Sequence, residues 1–157
     1  MKTLTVFTPT FNRAYCLGEL YKSLLRQKNT DFKWLIIDDG SSDGTDKLVE
    51  SWQSEGKIEI QYYYKSNGGM HTAHNAAYEL LETELNMCID SDDYLTDDAV
   101  EKILDFWKKN KSENVGAIYA LDATKSGEIL GEKYPDDLKS FQGWGCKIVV
   151  YNDGKIH

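Results

Sequence analysis

Strand-sized apolar runs and helix-sized amphipathic stretches take turns along most of this chain, and that alternation limits its fold more than any other feature. Leu4-Thr5-Val6-Phe7-Thr8 reads as a buried strand with Pro9 as its stop. Cys16, Leu17, Leu20, Leu24 and Leu25 then recur at helical spacing. Trp34-Leu35-Ile36-Ile37 predicts a second strand, closed by Asp38-Asp39-Gly40. Ser42 or Asp43 is placed to cap a helix carrying Leu48, Val49 and Trp52. Ile58 to Tyr64 alternates like a third strand, and Thr72 to Glu82 sets Ala73, Ala76, Ala77, Leu80 and Leu81 on one helical face. Leu85 to Ile89 predicts a fourth strand, and Thr96-Asp97-Asp98 opens a helix with Val100, Ile103, Leu104 and Trp107. Val115 to Ala120 predicts a fifth strand. Parallel strands need crossovers, and amphipathic helices supply them. The expected fold is therefore α/β, a mostly parallel sheet with helices on both faces.

In such sheets ligands bind outside the carboxyl ends of the strands. Four polar clusters fall there. In Thr8-Pro9-Thr10-Phe11-Asn12-Arg13, Phe11 can stack on a base, backbone groups from Thr8 to Thr10 can hold its edge, and Arg13 can reach a phosphate. The plain alternative makes Phe11 a core residue and Asn12 a helix cap. At the end of the second strand, an Asp of the Asp38-Asp39 pair can accept a pyrimidine imino N–H. Alternatively the pair serves a turn in which Gly40 takes a positive φ, and Asp43 and Thr45 start the next helix. Asn67-Gly68-Gly69, ahead of His71 and His74, lets a backbone approach a ligand at a helix start that favours anions. It is neither GxGxxG nor a P-loop. Ile89-Asp90-Ser91-Asp92-Asp93 puts three carboxylates within four residues. They can converge on Mg²⁺ or Mn²⁺, whose charge neutralises a diphosphate. The alternative is a solvated acidic turn, with Asp97 and Asp98 serving the positive end of the following helix.

Composition narrows the partners. With 18 Lys+Arg against 26 Asp+Glu the net charge is −8, and the lysines are scattered apart from Lys108, Lys109 and Lys111 at an expected helix end. No basic stripe exists, so nucleic acid is not the expected partner. Cys16, Cys88 and Cys146 show neither disulfide nor zinc spacing. No apolar run approaches the roughly 20 residues of a membrane span, and the N-terminus does not read as a signal peptide. A cytoplasmic protein is expected. From residue 122 the alternation degrades. Lys125 to Glu128 looks like a turn between short strands, Cys146 to Tyr151 like a strand, and Asn152-Asp153-Gly154 like a turn after it.

Taken in order, the four clusters resemble the family 2 inverting glycosyltransferases with the Rossmann-like GT-A fold. The matching pieces are Leu4 to Arg13, Leu35 to Thr45, Asn67-Gly68-Gly69 with Ala73-His74-Asn75, and Ile89 to Asp93. The resemblance implies a nucleotide-sugar donor, most simply a UDP-sugar, and Mn²⁺ or Mg²⁺. It implies donor contacts from Thr8, Pro9, Phe11, Arg13, Asp39, Asn67, Gly68, Gly69, His74, Asp90 and Ser91. Among these, Pro9 and Phe11 would line the base pocket and Asp39 would accept the uracil N3–H. Asp92, Asp90 and Asp93 would face the metal. His74 departs from the pattern, since many relatives look to carry Arg there.

The resemblance also implies a division into a nucleotide-sugar-binding core, residues 1–121, and the incomplete start of an acceptor side, 122–157. The base that deprotonates the acceptor hydroxyl would lie beyond His157, since Asp136, Asp137 and Asp153 match no such motif. The implied acceptor is a saccharide or lipid-linked saccharide, with a peripheral position at the inner membrane face. The aromatic segment at Phe141 and Trp144 suggests self-association. Two alternatives stay open: a non-catalytic nucleotide-sugar-binding fragment or sensor, and a nucleotidyltransferase. The latter would need a Gly-rich, basic loop after the first strand in place of Thr-Pro-Thr-Phe-Asn-Arg.

Overall fold

The computed structural model describes residues 2–111, 115–119, 122–124, 126, 128–130, 140–143 and 146–150. Its elements run β1 (Leu4–Thr10), α1 (Ala14–Leu25), β2 (Phe32–Asp38), α2 (Thr45–Glu55), β3 (Ile60–Tyr64), α3 (Met70–Leu80), β4 (Leu85–Cys88) and α4 (Ala99–Asn110). The short strands β5 (Val115–Tyr119), β6 (Asp122–Ala123), β7 (Ile129–Leu130), β8 (Ser140–Gly143) and β9 (Cys146–Val150) follow. The chain divides into two compact units, Met1–Glu101 and Lys102–His157.

The first unit is built on a four-stranded sheet of order β3-β2-β1-β4, parallel throughout. Every residue of β1 and β2 is buried. Strands buried on both faces need a helical layer on each. On one face Phe7, Leu35 and Ile37 pack with Ala73 and Ala77 of α3. Small residues let that helix lie close to the sheet. Trp34 points to the opposite face, as the two-residue period of a strand requires. There Tyr21 of α1 stacks on Trp52 of α2 at 4.4 Å, and Trp34 stacks on Trp52 at 5.8 Å. Such pairs add about 0.5–1.5 kcal/mol each beyond the area they bury.

Pro9 does not end β1, contrary to its reading as a stop. Leu4 N–H donates to the Asp31 carbonyl and Asp39 N–H to the Thr10 carbonyl, so even-numbered β1 residues bond toward β2. Leu85 N–H and Ile89 N–H donate to the Thr3 and Phe7 carbonyls, so odd-numbered ones bond toward β4. The β1–β4 pairing ends at Phe7–Cys88, before Pro9 is reached. The N–H that proline lacks would have had no partner there.

A second correction concerns the fifth strand. β5 pairs with β9 in a three-stranded sheet of order β5-β9-β8, separate from the β1–β4 sheet. In the same unit β6 and β7 form an antiparallel pair, and Thr124 N–H donates to the Glu128 carbonyl across the expected turn. Lys108 and Lys109 fall in the last turn of α4, where the helix dipole favours cations. The side chains of Phe141 and Trp144, Asp136, Asp137, and the turn at 152–154 lie outside what is described. No described helix is long and apolar enough to cross a membrane.

Candidate functional site

The carboxyl ends of β1 to β4 deliver four loops to one edge, as parallel topology dictates. A cleft of ≈ 250 Å³ opens between them. Pro9, Thr10, Phe11 and Arg13 line it from the β1 end, Asp39 from the β2 end, Asn67, Gly69, Met70 and Ala73 from the β3–α3 turn, and Asp90, Ser91 and Asp92 from beyond β4.

The first two loops are tied together. Asn12 takes a left-handed backbone, φ 53°. Its N–H donates to Ser41 Oγ at 2.8 Å, and its Oδ1 accepts the Ser42 N–H at 2.8 Å. It does not cap α1, whose N-cap is Arg13 without a side-chain cap bond. Asp43 Oδ2 accepts the Ala14 N–H, while its Oδ1 accepts the N–H and hydroxyl of Thr45. Asp43 thus joins the starts of α1 and α2. Phe11, held at the tip of this paired loop, is 48% exposed and presents its ring to the cleft rather than to the core.

The neighbouring aspartates have different tasks. Asp38 is fully buried. It accepts the Tyr62 hydroxyl at 2.5 Å and the Ser41 N–H at 2.7 Å, which closes the turn before α2. Burial and the adjacent Asp38 carboxylate drive the Tyr62 pKa strongly upward, so its phenol stays a donor. Gly40 follows with φ +91°, and a Cβ there would lie 2.9 Å from the Asn67 backbone nitrogen. Only glycine allows the β2 end and the β3–α3 turn to approach this closely.

Asp39 anchors that turn. Its Oδ1 accepts from the Lys65 ammonium, and its two oxygens accept the N–H groups of Gly68 (3.0 Å) and Gly69 (2.7 Å). Lys65 also donates to the Ser66 carbonyl at 2.7 Å and to Thr72 Oγ1 at 2.8 Å, which uses its three protons. Burial alone would raise the Asp39 pKa; the Lys65 ammonium and the two glycine N–H groups outweigh it and hold the carboxyl below its usual range. Asp39 is therefore a fixed anion at neutral pH. Three strong donors leave one of a carboxylate's roughly four lone-pair positions for an N–H from a ligand.

Also lining the cleft, Arg13 Nη1 meets Asp92 Oδ2 at 2.6 Å, with the two side chains 40% and 58% exposed. The hydrogen bond from Arg13 holds the Asp92 carboxyl below its usual range. The loop bearing Asp92 is fastened further on to α1 and to the turn that follows it. Buried Gln27 donates to the Thr96 carbonyl at 2.7 Å and accepts the Val100 N–H at 3.0 Å, and Ser23 Oγ accepts the Leu95 N–H. Among the described residues no three His, Cys, Asp or Glu side chains converge as a ready-made metal cage. Two cleft-lining carboxylates, Asp90 and Asp92, still fit the habit of Mg²⁺ and Mn²⁺, which take one or two carboxylates and complete their shell with phosphate and water oxygens.

Of the residues expected at the site, Pro9, Phe11, Arg13, Asp39, Asn67, Gly69, Asp90, Ser91 and Asp92 share the cleft. Thr8 is fully buried, and its Oγ1 accepts the Trp34 indole N–H at 3.0 Å. Gly68 acts through its N–H on Asp39. His74 lies edge-on to Phe7 at 5.4 Å, away from the cleft wall, and Asp93 is also off that wall. Thr10, whose backbone was expected at the edge of a base, lines the cleft as well, and Met70 and Ala73 line it without having been expected there. Thr10 follows from β1 continuing past Pro9. Lys65 was also missed; its signal was a cation at the tip of the third strand, directly before the glycine turn.

A parallel α/β sheet with a cleft at its carboxyl edge has the architecture in which ligands bind outside the strand ends. The chain belongs to glycosyl transferase family 2, whose family model matches residues 5–143. It is similar to the poly(ribitol-phosphate) β-N-acetylglucosaminyltransferase TarP of Staphylococcus aureus (strain N315), with 30% identity over 124 residues, 78% of this chain and 38% of TarP. The crystal structure of S. aureus TarS 1–349 in complex with UDP-GlcNAc matches with a TM-score of 0.69 at 26% identity, covering 88% of this chain and 38% of that one. The mannosyltransferase PcManGT from Pyrobaculum calidifontis, in complex with GDP-Man and Mn²⁺, shares the fold with a TM-score of 0.67 at 21% identity, covering 77% of this chain and 35% of that one. The fold is that of the GT-A glycosyltransferases. The chain spans well under half the length of these relatives.

Proposed function

We propose that this chain binds the nucleotide-sugar donor, most simply a UDP-sugar, of an inverting glycosyltransferase. The observation that carries the reading is the shared cleft: Phe11 as a stacking face, Asp39 as an acceptor and the Arg13–Asp92 pair as charges line one space. Phe11 stacks on the pyrimidine. Asp39, ionised and oriented by Lys65 and the glycine turn, accepts the N3–H of uracil. Cytosine presents an acceptor at that position and is disfavoured. Asn67 and Gly69 border the nucleotide, and Asp90 and Ser91 lie toward the ribose. Arg13 offers its guanidinium to the diphosphate. Asp92 and Asp90 would hold a Mg²⁺ or Mn²⁺ ion, which supplies charge neutralisation for the departing diphosphate.

In the whole enzyme a saccharide or lipid-linked acceptor hydroxyl attacks the anomeric carbon from the face opposite the diphosphate. The new C–O bond forms as the C1–O phosphate bond breaks, UDP leaves, and a carboxylate base outside the cleft takes the hydroxyl proton. Calorimetric titration of this chain with UDP and CDP, each with and without Mn²⁺, tests the donor site. UDP binding that strengthens with Mn²⁺ and exceeds CDP binding is expected. Well-folded protein that ignores UDP at millimolar concentration with Mn²⁺ present would overturn the reading.

A further inference from the structure

We infer that Arg13 is an internal stand-in for the divalent cation: it holds Asp92 while the cleft is free, and gives it up when a nucleotide diphosphate draws the guanidinium onto its phosphates. The inference rests on the donor-site reading above and adds a coupling between the two ligands that the reading itself does not require.

Four observations carry it. Arg13 and Asp92 come from the loops that follow two neighbouring strands, one after β1 and one beyond β4, and meet at 2.6 Å. Both line the cleft, so any oxygen-seeking cation brought to Asp92 meets a positive charge already seated there. The pair is loose, with side chains 40% and 58% exposed. The other ion pair at the cleft behaves differently: the Asp39 carboxylate and Lys65 are 5% and 19% exposed, and all three protons of Lys65 are engaged. A guanidinium pairs with a phosphate as readily as with a carboxylate, through the same planar fork. Moving Arg13 from Asp92 to a diphosphate therefore exchanges like for like and frees a carboxylate oxygen where a phosphate-bound cation needs one. By linkage, nucleotide then raises cation affinity and the cation raises nucleotide affinity by the same factor.

The test is a thermodynamic cycle on the full chain, with free Mn²⁺ read by its paramagnetic resonance signal. Mn²⁺ is titrated alone and again at saturating UDP, into the wild type, Arg13→Gln, Arg13→Lys, Asp92→Asn and the double variant Arg13→Gln/Asp92→Asn. Arg13→Gln is expected to bind Mn²⁺ alone about two- to fivefold more tightly, the worth of an exposed ion pair. The factor by which UDP enhances Mn²⁺ binding is expected to fall correspondingly. Arg13→Lys keeps the charge and is expected to stay near the wild type. Asp92→Asn is expected to erase the difference made by Arg13→Gln. Mn²⁺ affinity that is unchanged or lower in Arg13→Gln, with Mn²⁺–UDP binding intact, would overturn the stand-in role while leaving the donor site standing. Absence of UDP binding by the wild type at any Mn²⁺ concentration would overturn the donor site, and the inference with it.

Discussion

Asp39→Asn separates an anchoring carboxylate from a merely acidic surface. The wild-type carboxylate is 5% exposed and faces Lys65, 19% exposed, together with two backbone N–H groups. An amide there leaves the ammonium without its counter-charge and turns an NH₂ group toward donors. Removing one partner of a buried pair costs about 3–5 kcal/mol. The amide oxygen still accepts one bond, and Lys65 keeps Ser66 and Thr72 as partners, which lowers the expected cost to about 2–3 kcal/mol. The pH dependence has a definite sign. The folded-state pKa of Asp39 lies below the unfolded value of about 3.9. Its stabilisation is therefore complete above that value and is lost as pH falls through the folded pKa.

Urea unfolding followed by near-ultraviolet circular dichroism of the Tyr21–Trp34–Trp52 stack reads the unit that holds the site. The gap between wild type and Asp39→Asn should be about 2–3 kcal/mol at pH 7 and should close progressively below about pH 4. A gap of the same size at pH 7 and at pH 2 would mean that shape, not charge, carries the loss. A gap under about 0.5 kcal/mol at pH 7, within the range of ordinary surface changes, would refute the anchor altogether.

Other substitutions probe neighbouring parts of the site. Phe11→Ala should weaken UDP binding by about 1–3 kcal/mol in calorimetry, the worth of one base stacked on an aromatic ring, and leave the melting temperature unchanged because the ring is half exposed. Gly68→Ala places a Cβ 2.7 Å from Thr72 Oγ1 and 3.2 Å from Lys65 Nζ, and should destabilise by about 1–3 kcal/mol. Adding Thr72→Ala should restore part of that loss; no rescue would show that the crowding lies elsewhere. Gln27→Leu strips the buried partners from the Thr96 carbonyl and the Val100 N–H, and should cost about 1–3 kcal/mol in urea unfolding.

The alternation of elements was legible because burial on both faces leaves short stretches rich in apolar and β-branched residues, Leu4 to Thr8 in β1 and Trp34 to Ile37 in β2, while α1 to α3 keep a helical period. The place of the site was legible for a topological reason: parallel strands send all their carboxyl ends to one edge, so polar clusters far apart in the chain had to meet. What could not be read was the pairing within that edge. Nothing in Asp38-Asp39 distinguishes a fully buried turn-former from a cleft anchor; the difference comes from Tyr62 in the neighbouring edge strand, which reaches Asp38, and Lys65 just past its end, which reaches Asp39. The fate of Val115 to Tyr119 was equally hidden. An apolar strand carries no mark of which sheet it joins, and here its partner is Cys146 to Val150. Pro9 misled for the opposite reason: a rule about lost hydrogen bonds was applied on the side of β1 where the pairing with β4 has already ended, while the pairing with β2 runs on past it.

The cleft thus contains two carboxylates that each have a cation from the chain itself, and burial decides what each pair can do. Around Asp39, low exposure and saturated donors make separation costly, so Lys65 stays and the pair acts as one rigid wall. Around Asp92, solvent reaches both partners and the net worth of the bond falls to about 0–1 kcal/mol. Asp92→Asn should accordingly change urea stability by less than about 0.5 kcal/mol at pH 7. A loss for Asp92→Asn as large as that for Asp39→Asn would place Asp92 in the rigid wall as well. A carboxylate held that firmly would not be free to exchange an arginine for a cation.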